Sequence, residues 1–268
     1  MGTRWAVVSD IHGNLPALEA VIADAGAAGG VGGWLNLGDI VSGPLWPRET
    51  AALLMSLAWP TIAGNHERQL LSPARERMGP SDRFAADAIT LAQRDWLAAL
   101  PATMRPADGL LCVHGTPATD LQYLLETVAP QGLRAASSDE VQQRLGPADA
   151  SLVLCGHSHV PRDMALGAVR VANPGSVGLQ AYDDDHPYPH VVEVGSPHAR
   201  YAIVEHSAAG FGVTLREVAY DWESAARRAE TNGRGDWADA LRTGRVGRRE
   251  ADIGDLEDIS RTSRAAPG

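Results

Sequence analysis

The sequence has few cysteines and a shortage of basic residues. Its 268 residues include only Cys112 and Cys155, and both lie inside apolar runs. A disulfide framework and a Cys-x-x-Cys metal site are therefore excluded. The 23 basic residues against 33 acidic ones give a net charge of −10. This balance argues against stable binding to nucleic acid, because a protein that coats nucleic acid needs a basic face.

Long hydrophobic runs are also absent. No apolar stretch reaches the roughly 18 residues that a transmembrane helix requires, and residues 1–8 are too short for a signal peptide. We therefore expect a soluble, cytoplasmic protein without membrane contact. We predict one main domain over residues 1–230 and a polar extension over residues 231–268 that is partly disordered.

Five short apolar runs are each followed at once by polar residues of types that bind metal ions. The runs cover residues 5–8, 34–37, 61–63, 110–113 and 152–155. Runs this short, bounded by glycine and polar residues, indicate buried β-strands. Helical spacing of apolar residues over 14–28 and 47–58 alternates with the first strands, which predicts β-α-β units. Ligands of open α/β sheets gather at the carboxyl ends of strands, where these polar residues fall.

The later part of the chain departs from this alternation. Residues 80–105 are predicted to form a small helical insertion that caps the site. Helices are predicted over residues 82–100, 120–128, 138–145, 222–229 and 237–241. Strands are also predicted over residues 164–166, 169–171, 201–204 and 212–218, and a second sheet is expected to pack on the first. Residues 182–198, rich in Asp, His and Pro, are predicted to be a surface loop, and a mobile tail is expected from about residue 247.

Five of the nine histidines fall at the predicted strand ends, together with two aspartates. These histidines are His12, His66, His114, His157 and His159. Any one of them alone could be an ordinary hydrogen-bonded loop residue, but that explanation weakens when five recur in one structural position. His12 lies two residues after Asp10, so an extended segment points both side chains the same way.

The types of ligand indicate the class of metal. Imidazole and carboxylate without thiolate suit Mn, Fe, Zn, Ni or Co. The candidate ligands are Asp10, His12, Asp39, Asn65, His114, His157 and His159. Seven ligands are too many for one ion and fit two divalent ions that share a bridging carboxylate. We expect Mn²⁺, with Fe, Zn, Ni, Co and Mg²⁺ as alternatives.

Five motifs, in this order, resemble the signature of the calcineurin-like metallophosphoesterase family. They are Asp10-Ile11-His12, Gly38-Asp39, Gly64-Asn65-His66, His114 and Gly156-His157-Ser158-His159. The resemblance extends over about residues 4–218, and within the family the chain is similar to the small bacterial and archaeal phosphodiesterases. It implies an α/β (α+β) fold in which helices flank a mixed β-sandwich of two sheets.

The resemblance also implies a role for each site residue. The first metal would be bound by Asp10, His12 and His159, the second by Asn65, His114 and His157, and Asp39 would bridge them. His66 would be catalytic and face the phosphate, protonating the leaving group or steadying the transition state. Asn14 would order the loop beside the metals and contact substrate. Residues 173–176 would form a turn near the site, for which an ordinary Pro-Gly turn is the alternative.

Together these features predict a dinuclear metal-dependent phosphodiesterase that hydrolyses a small phosphoester through a metal-activated water. A dinucleoside-polyphosphate hydrolase and a serine/threonine protein phosphatase are alternatives on the same site. Both typically carry an arginine four residues after the bridging aspartate, where this chain has Gly43. Its absence favours the less charged diester, unless Arg48 or Arg68 reaches in. A metal-binding scaffold is the non-enzymatic alternative, disfavoured because every ligand position and His66 are present.

Two segments have competing interpretations. The acidic run at residues 183–186 could hold another metal, although a solvated loop is the preferred interpretation. Arginines near the end, including Arg245, Arg248 and Arg249, are interleaved with acidic residues, which favours a solvated segment over a nucleic-acid arm. The sequence does not predict the oligomeric state.

Overall fold

The computed structural model describes residues 3–72 and 74–250. The strands are β1 Thr3–Val8, β2 Gly33–Asn36, β3 Thr103–Ala107, β4 Leu110–Val113, β5 Glu126–Ala129, β6 Gly132–Ala135, β7 Leu152–Leu154, β8 Arg162–Leu166, β9 Val169–Asn173, β10 Ala181–Asp184, β11 His190–Glu193, β12 Ala199–Ser207 and β13 Gly210–Val218. The helices are α1 Leu15–Ala27, α2 Pro47–Leu57, α3 Asn65–Leu70, α4 Pro80–Ala88, α5 Leu91–Ala98, α6 Ser138–Leu145, α7 Trp222–Thr231 and α8 Gly235–Thr243. A 3₁₀ turn covers Arg75–Arg77.

The strands form two main sheets and two separate hairpins. The first sheet has the order β13-β12-β1-β2 and the second the order β3-β4-β7-β9-β8, while β5-β6 and β10-β11 pair alone. β1 runs parallel to β2, and β7 runs parallel to both β4 and β9. The predicted two-sheet, mixed α/β fold is confirmed, and the parallel strands bring several carboxyl ends to one edge.

Successive side chains of each strand point to opposite faces of its sheet, which divides the core into layers. Val7 and Leu154 belong to the layer between the two sheets, whereas Ala6 and Val8 face the helices outside the first sheet. Val153 faces the opposite side of the second sheet, in the cluster that includes residues of α6. Each fully buried aliphatic side chain of this kind contributes about 1.5–3 kcal/mol relative to exposure. The two sheets are therefore held firmly enough to serve as a frame for the loops at their ends.

Most of the predicted helices are confirmed, and local sequence explains where they begin. The side chain of Asn14 accepts a hydrogen bond from the backbone N–H of Ala17, which caps α1. Ser137 and Glu140 form a reciprocal capping box at the start of α6. The helices predicted over 47–58, 222–229 and 237–241 correspond to α2, α7 and α8.

The helix predicted over residues 120–128 is wrong. The segment is irregular until β5 begins at Glu126, and residues 123–126 are all buried. An amphipathic helix would bury only one stripe of residues. The Arg144 guanidinium donates to the carbonyl oxygens of Tyr123, Leu124 and Glu126, which in a helix would accept from amides four residues later. A side chain distant in sequence thus replaces the local hydrogen bonds.

Two other predictions need correction. Residues 182–198 do not form a surface loop, because β10 and β11 pair there as an antiparallel hairpin. Residues 61–63 do not form a strand, since Thr61 makes only an isolated parallel bridge to Asn36. The insertion at 80–105 contains two helices, as predicted, but its last residues already belong to β3, the edge of the second sheet.

The part of the extension that is described packs against the main body. Leu45 and Leu179 share a buried cluster with residues of α7 and α8, including Trp237. Arg248 donates to the carboxylate of Asp239, so order continues past residue 247. The remainder of the predicted tail, residues 251–268, lies outside the described residues, and the domain division at residue 230 stays a prediction.

None of the described helices combines the length and the apolar character needed to cross a bilayer.

Candidate metal centre

The loops that follow β1, β2 and β7 hold the candidate ligands in a left-handed backbone. Positive φ angles of 50–67° occur at Asp10, His12, Asp39, His157 and His159. Among the other described residues, the only non-glycine position with positive φ is Ala58, which ends α2. Such conformations cost of order 1–3 kcal/mol each and persist only where surrounding contacts enforce them. Backbone strain is therefore concentrated at five of the seven predicted ligands.

Hydrogen bonds between loops enforce this backbone. The N–H groups of Asp10 and His12 donate to the carbonyl oxygens of Gly38 and Asp39 at 3.0 Å each. The His157 N–H donates to the carboxylate of Asp10, with a nitrogen–oxygen distance of 3.2 Å. Loops from both sheets are thereby fastened to one another around Asp10.

The first group of candidate ligands comprises Asp10, His12 and His159, all buried, with ligand atoms within 4.8 Å of one another. His12 Nδ1 lies 2.7 Å from the carbonyl oxygen of Ser42, and His159 Nδ1 lies 2.6 Å from that of Leu179. Because a carbonyl can only accept, each Nδ1 must carry the proton. The two Nε2 atoms then face each other with free lone pairs at 3.1 Å.

The second group comprises Asp39, His114 and His157, again within 4.8 Å. His114 Nδ1 donates to the carbonyl oxygen of Leu37 at 2.8 Å. Its Nε2 lies 3.0 Å from Asp39 Oδ2 and 3.1 Å from Asn65 Oδ1. Asn65 thus lies beside this group, and its role as a ligand stays a prediction.

Glu67 fastens the loops that carry the second group, although sequence reasoning missed it. Its buried carboxylate accepts backbone N–H bonds from Asp39 at 2.9 Å, Ile40 at 2.8 Å and Gly64 at 2.8 Å. Asp39 Oδ1 in turn accepts the N–H of His66 at 3.0 Å. The loop after β2 and the start of α3 are therefore joined by four hydrogen bonds.

His66 lines the cavity but belongs to neither ligand group. Its Nδ1 lies 2.9 Å from Asp82 Oδ1, an oxygen that also accepts the Ser42 hydroxyl at 2.7 Å. Asp82, in the first turn of α4, was not predicted. The carboxylate holds the proton on Nδ1 and leaves Nε2 for a substrate.

Charges within the site shift the pKa values of the histidines in opposite directions. Burial, reinforced by the neighbouring His159, lowers the pKa of His12 to about 3, and burial with nearby His114 lowers that of His157 to about 4. For His114 burial also favours the neutral form, but Asp39 outweighs it and raises the pKa to about 10. The pKa of His66 rises to about 9 against its burial, through the charges of Asp39 and Asp82.

Burial alone would raise the pKa values of the aspartates, but the imidazoles overcome it. His159 lowers the pKa of Asp10, and His114 holds that of Asp39 well below its usual range. Both carboxylates are therefore anionic, and in each group carboxylate and imidazole ligand atoms converge on a shared point. Two imidazole lone pairs 3.1 Å apart repel unless a proton or a cation lies between them. The donor set fits divalent metal ions of the kind that bind imidazole and carboxylate.

Asn14 does not line the cavity. It is fully buried, and its amide nitrogen donates to the carbonyl oxygen of Gly178 and to the hydroxyl of Tyr220. The side-chain oxygen of Asn14 caps α1, so both ends of its amide bind other parts of the protein. A contact between Asn14 and substrate is therefore not supported. Residues 173–176 likewise form a buried structural turn, in which Asn173 donates to the carbonyl oxygen of Gly156 and the Ser176 hydroxyl to that of Asp10.

A cavity of about 1630 Å³ opens over the candidate ligands. His12, Asp39 and His159 contribute to its lining, together with hairpin β10-β11 and the residues that precede and begin α4. Only the N-terminal end of the α4–α5 insertion contributes, so the insertion forms part of a wall, and the predicted cap is not observed. The acidic run at 183–186 also contributes to the lining, and within the described residues it joins no candidate metal group.

Trp237 of α8 closes the space beside Gly43. A Cβ added at Gly43 would lie 2.7 Å from both the Trp237 ring and the His12 carbonyl oxygen, so no side chain fits there. The Trp237 ring also meets the His12 ring edge-on, with centroids 5.9 Å apart. An arginine at position 43 is thus excluded by packing. Trp237 carries no motif that could have signalled this contact in the sequence.

This fold, with buried imidazole and carboxylate groups at the strand ends, defines the class of metallophosphoesterases, which hydrolyse phosphoesters. More specifically, the chain belongs to the calcineurin-like phosphoesterase family, which it matches over residues 3–161. Members of this family depend on two metal ions, and the two candidate groups found here agree with that. The predicted family is confirmed.

Individual relatives extend the similarity beyond the family match. An uncharacterized protein of Methanocaldococcus jannaschii is 26% identical over 248 residues, covering 87% of this chain and 94% of its own. The crystal structure of a metallophosphoesterase from Sphaerobacter thermophilus has a TM-score of 0.71 at 25% identity, covering 90% of this chain and 98% of that one. A hypothetical protein from Pyrococcus horikoshii OT3 shares the fold, with a TM-score of 0.70, 19% identity and the same coverage.

Proposed function

We propose that this protein is a dinuclear metal-dependent phosphodiesterase. The observation that carries the proposal is the convergence of two groups of imidazole and carboxylate ligands at a large cavity, next to a histidine that belongs to neither group. A binding scaffold has no use for such a histidine or for the carboxylate that orients it.

In this proposal each metal has its own ligands and both share Asp39. The first metal would be held by Asp10, His12 and His159, the second by Asn65, His114 and His157. Asp39 suits the shared position because its charge acts on both His12 and His114. Two bound divalent ions supply positive charge for the phosphate and lower the pKa of a water molecule. Mn²⁺ is the ion we expect, in a cytoplasmic protein.

His66 supplies the proton that hydrolysis requires. When water adds to phosphorus and the ester P–O bond breaks, the leaving oxygen takes up a proton. Asp82 keeps His66 Nδ1 protonated, so Nε2 can deliver its own proton to that oxygen and be reprotonated from solvent. Such a general acid typically contributes a factor of about 10²–10⁴ to the rate.

A diester fits the charge of this site better than a monoester. Trp237 fills the space beside Gly43, so that loop offers no guanidinium to a dianionic phosphate. Arg48 does not contribute to the cavity lining, and Arg68 is already paired bidentately with Asp120, at 2.9 and 2.7 Å. A monoanionic diester needs less compensation than a phosphomonoester. The diester is therefore the preferred substrate class, with the partner being a small phosphoester and not nucleic acid.

A substrate panel with Mn²⁺-loaded protein tests the proposal. It compares bis(4-nitrophenyl) phosphate, 4-nitrophenyl phosphate, diadenosine tetraphosphate and a phosphoserine peptide, with His66→Ala as the inactive control. We expect the first to be hydrolysed with the highest kcat/KM. Preference for the tetraphosphate or the peptide would replace the proposed substrate by one of the two alternative classes. Two bound metals without turnover of any phosphoester would instead support a scaffold.

A further inference from the structure

The cavity offers few cations to a bound anion besides the metals. The sequence contains no lysine, so every fixed positive side chain apart from histidine is an arginine. Among the described residues, three arginines contribute to the cavity lining: Arg68, Arg77 and Arg144. Which of these can bind substrate depends on what its guanidinium already holds.

Two of these three arginines already donate hydrogen bonds to other groups of the protein. Arg68 donates two hydrogen bonds to the carboxylate of Asp120. Arg144 donates to three backbone carbonyls and, at 2.6 Å, to the Thr127 hydroxyl, which fixes the segment before and within β5. Moving either guanidinium would leave acceptors unpaired, so neither is available without a structural cost.

Arg77 differs from both. It ends the 3₁₀ turn before α4, it is exposed, and its guanidinium has no hydrogen bond or ion pair with any described residue. Arg75, two residues earlier in the same turn, pairs with Asp87 at 2.6 Å and does not line the cavity. Among the described residues, this turn therefore presents Arg75 paired with Asp87 and Arg77 unpaired at the cavity.

The acidic run contributes a negative part of the same lining. Asp183, Asp184 and Asp185 belong to hairpin β10-β11 and its turn, and they repel an anionic extension of the substrate. Within the part of the chain that the structure describes, the side of the cavity formed by the residues before α4 carries Arg77, whose guanidinium is unpaired there. A substrate with a second anionic group is thus driven to one orientation.

We propose that Arg77 is a specificity-determining residue that binds a second phosphate on the substrate, beyond the one that is hydrolysed. The inference rests on the proposed function and narrows its substrate class to diesters that carry an additional phosphate. A guanidinium can meet such a phosphate with two parallel hydrogen bonds. Because Arg77 is exposed, we expect a modest effect of about fivefold in affinity rather than a large one.

Two matched substrates isolate this contact. One is the 4-nitrophenyl ester of thymidine 5′-phosphate, and the other is the same ester with a phosphate on the 3′ oxygen. Arg77→Gln should raise KM for the phosphorylated ester about fivefold and leave its kcat unchanged. For the plain ester, KM should change less than about twofold. Arg75→Gln is the matched control and should not alter KM for either ester. The preference of the wild-type protein should shrink as salt rises from about 50 to about 500 mM, because screening weakens an exposed ion pair.

Binding without turnover keeps this test separate from that of the proposed function. Calorimetry on the metal-loaded protein compares thymidine 3′,5′-bisphosphate with thymidine 5′-phosphate. Arg77→Gln should weaken the binding of the bisphosphate about fivefold and leave the binding of the monophosphate unchanged. If the wild-type protein hydrolyses neither ester, the proposed function fails while the binding comparison still decides the role of Arg77. The inference would be overturned if Arg77→Gln lost the same affinity for both ligands or lost none for either. It would also be overturned if Arg75→Gln lost as much affinity as Arg77→Gln.

Discussion

His66 Nδ1 lies 2.9 Å from Asp82 Oδ1, and the Ser42 hydroxyl donates to that same oxygen. The carboxylate is buried, so its position is fixed by these two contacts more firmly than an exposed side chain would be. We predict that Asp82→Asn lowers kcat about 10–100-fold, the usual range for losing an orienting partner, while both metals stay bound. Steady-state kinetics with elemental analysis of metal content measures both quantities.

Asp87→Asn is the matched control for this change. Asp87 lies on the same helix but is exposed and pairs with Arg75, so kcat should be unaffected. Loss of a metal equivalent in Asp82→Asn, or an unchanged kcat, would contradict an orienting role for the carboxylate.

A second prediction separates ligand from catalyst. His66→Ala should retain both metals and lose about 10²–10⁴ in kcat, as expected when a general acid is removed. Asp39→Asn should reduce the content of both metals, because the carboxylate lies against His114 and its charge also acts on His12. Metal content is again read by elemental analysis. Loss of one metal from His66→Ala would show that His66 is a ligand.

The sequence allowed the candidate ligands to be identified because all but Asn65 lie in short motifs that closely follow a strand, and Asn65 follows the apolar run at residues 61–63. Asp10, His114 and His157 illustrate this, since a buried apolar run and a polar residue beside it are both local signals. The residues that were missed act across the fold. Asp82 reaches His66 from another helix, and Trp237 reaches Gly43 from almost two hundred residues away. No periodicity or spacing in the sequence encodes such contacts.

The same limit explains the wrong secondary-structure predictions. Residues 120–128 have the composition of a short helix, but Arg144 takes the carbonyls that a helix would use. The segment over residues 182–198, rich in Asp and Pro, has the composition of a loop, yet its two arms pair as strands. In both cases a tertiary partner outweighed local propensity.

The third prediction concerns Glu67, whose carboxylate accepts three backbone N–H groups. In Glu67→Gln one oxygen is replaced by a donor, so at least one buried N–H loses its acceptor. We expect the free energy of unfolding to fall by about 1–3 kcal/mol. Urea unfolding of the metal-free protein measures this, and metal affinity should also fall because the loop of Asp39 loosens. Glu76→Gln, an exposed residue of the 3₁₀ turn, should leave both properties unchanged.

The fourth prediction concerns metal removal. Chelation should abolish phosphodiester hydrolysis, and Mn²⁺ should restore it, because the proposed mechanism takes its nucleophile from a water molecule bound by the metals. Metal binds only the folded state, so at 100 times its Kd one ion should add about 2.7 kcal/mol to the free energy of unfolding. Differential scanning calorimetry with and without Mn²⁺ should therefore show a higher Tm for the loaded protein. Full turnover after verified removal of metal would rule out the proposed mechanism.

The last prediction concerns the charge of the group that is cleaved. A phosphomonoester is close to a dianion at neutral pH, whereas a diester is a monoanion. Trp237 packs so closely against Gly43 that no arginine fits at that position in the loop after β2, and Arg68 is paired with Asp120. Neither the loop after β2 nor Arg68 therefore offers a guanidinium to the scissile phosphate, which favours the smaller charge. We predict a higher kcat/KM for bis(4-nitrophenyl) phosphate than for 4-nitrophenyl phosphate under identical Mn²⁺ conditions. Arg68→Gln should leave this ratio unchanged, since its guanidinium is already paired. A clear preference for the monoester would contradict the diester assignment and leave membership in the family intact.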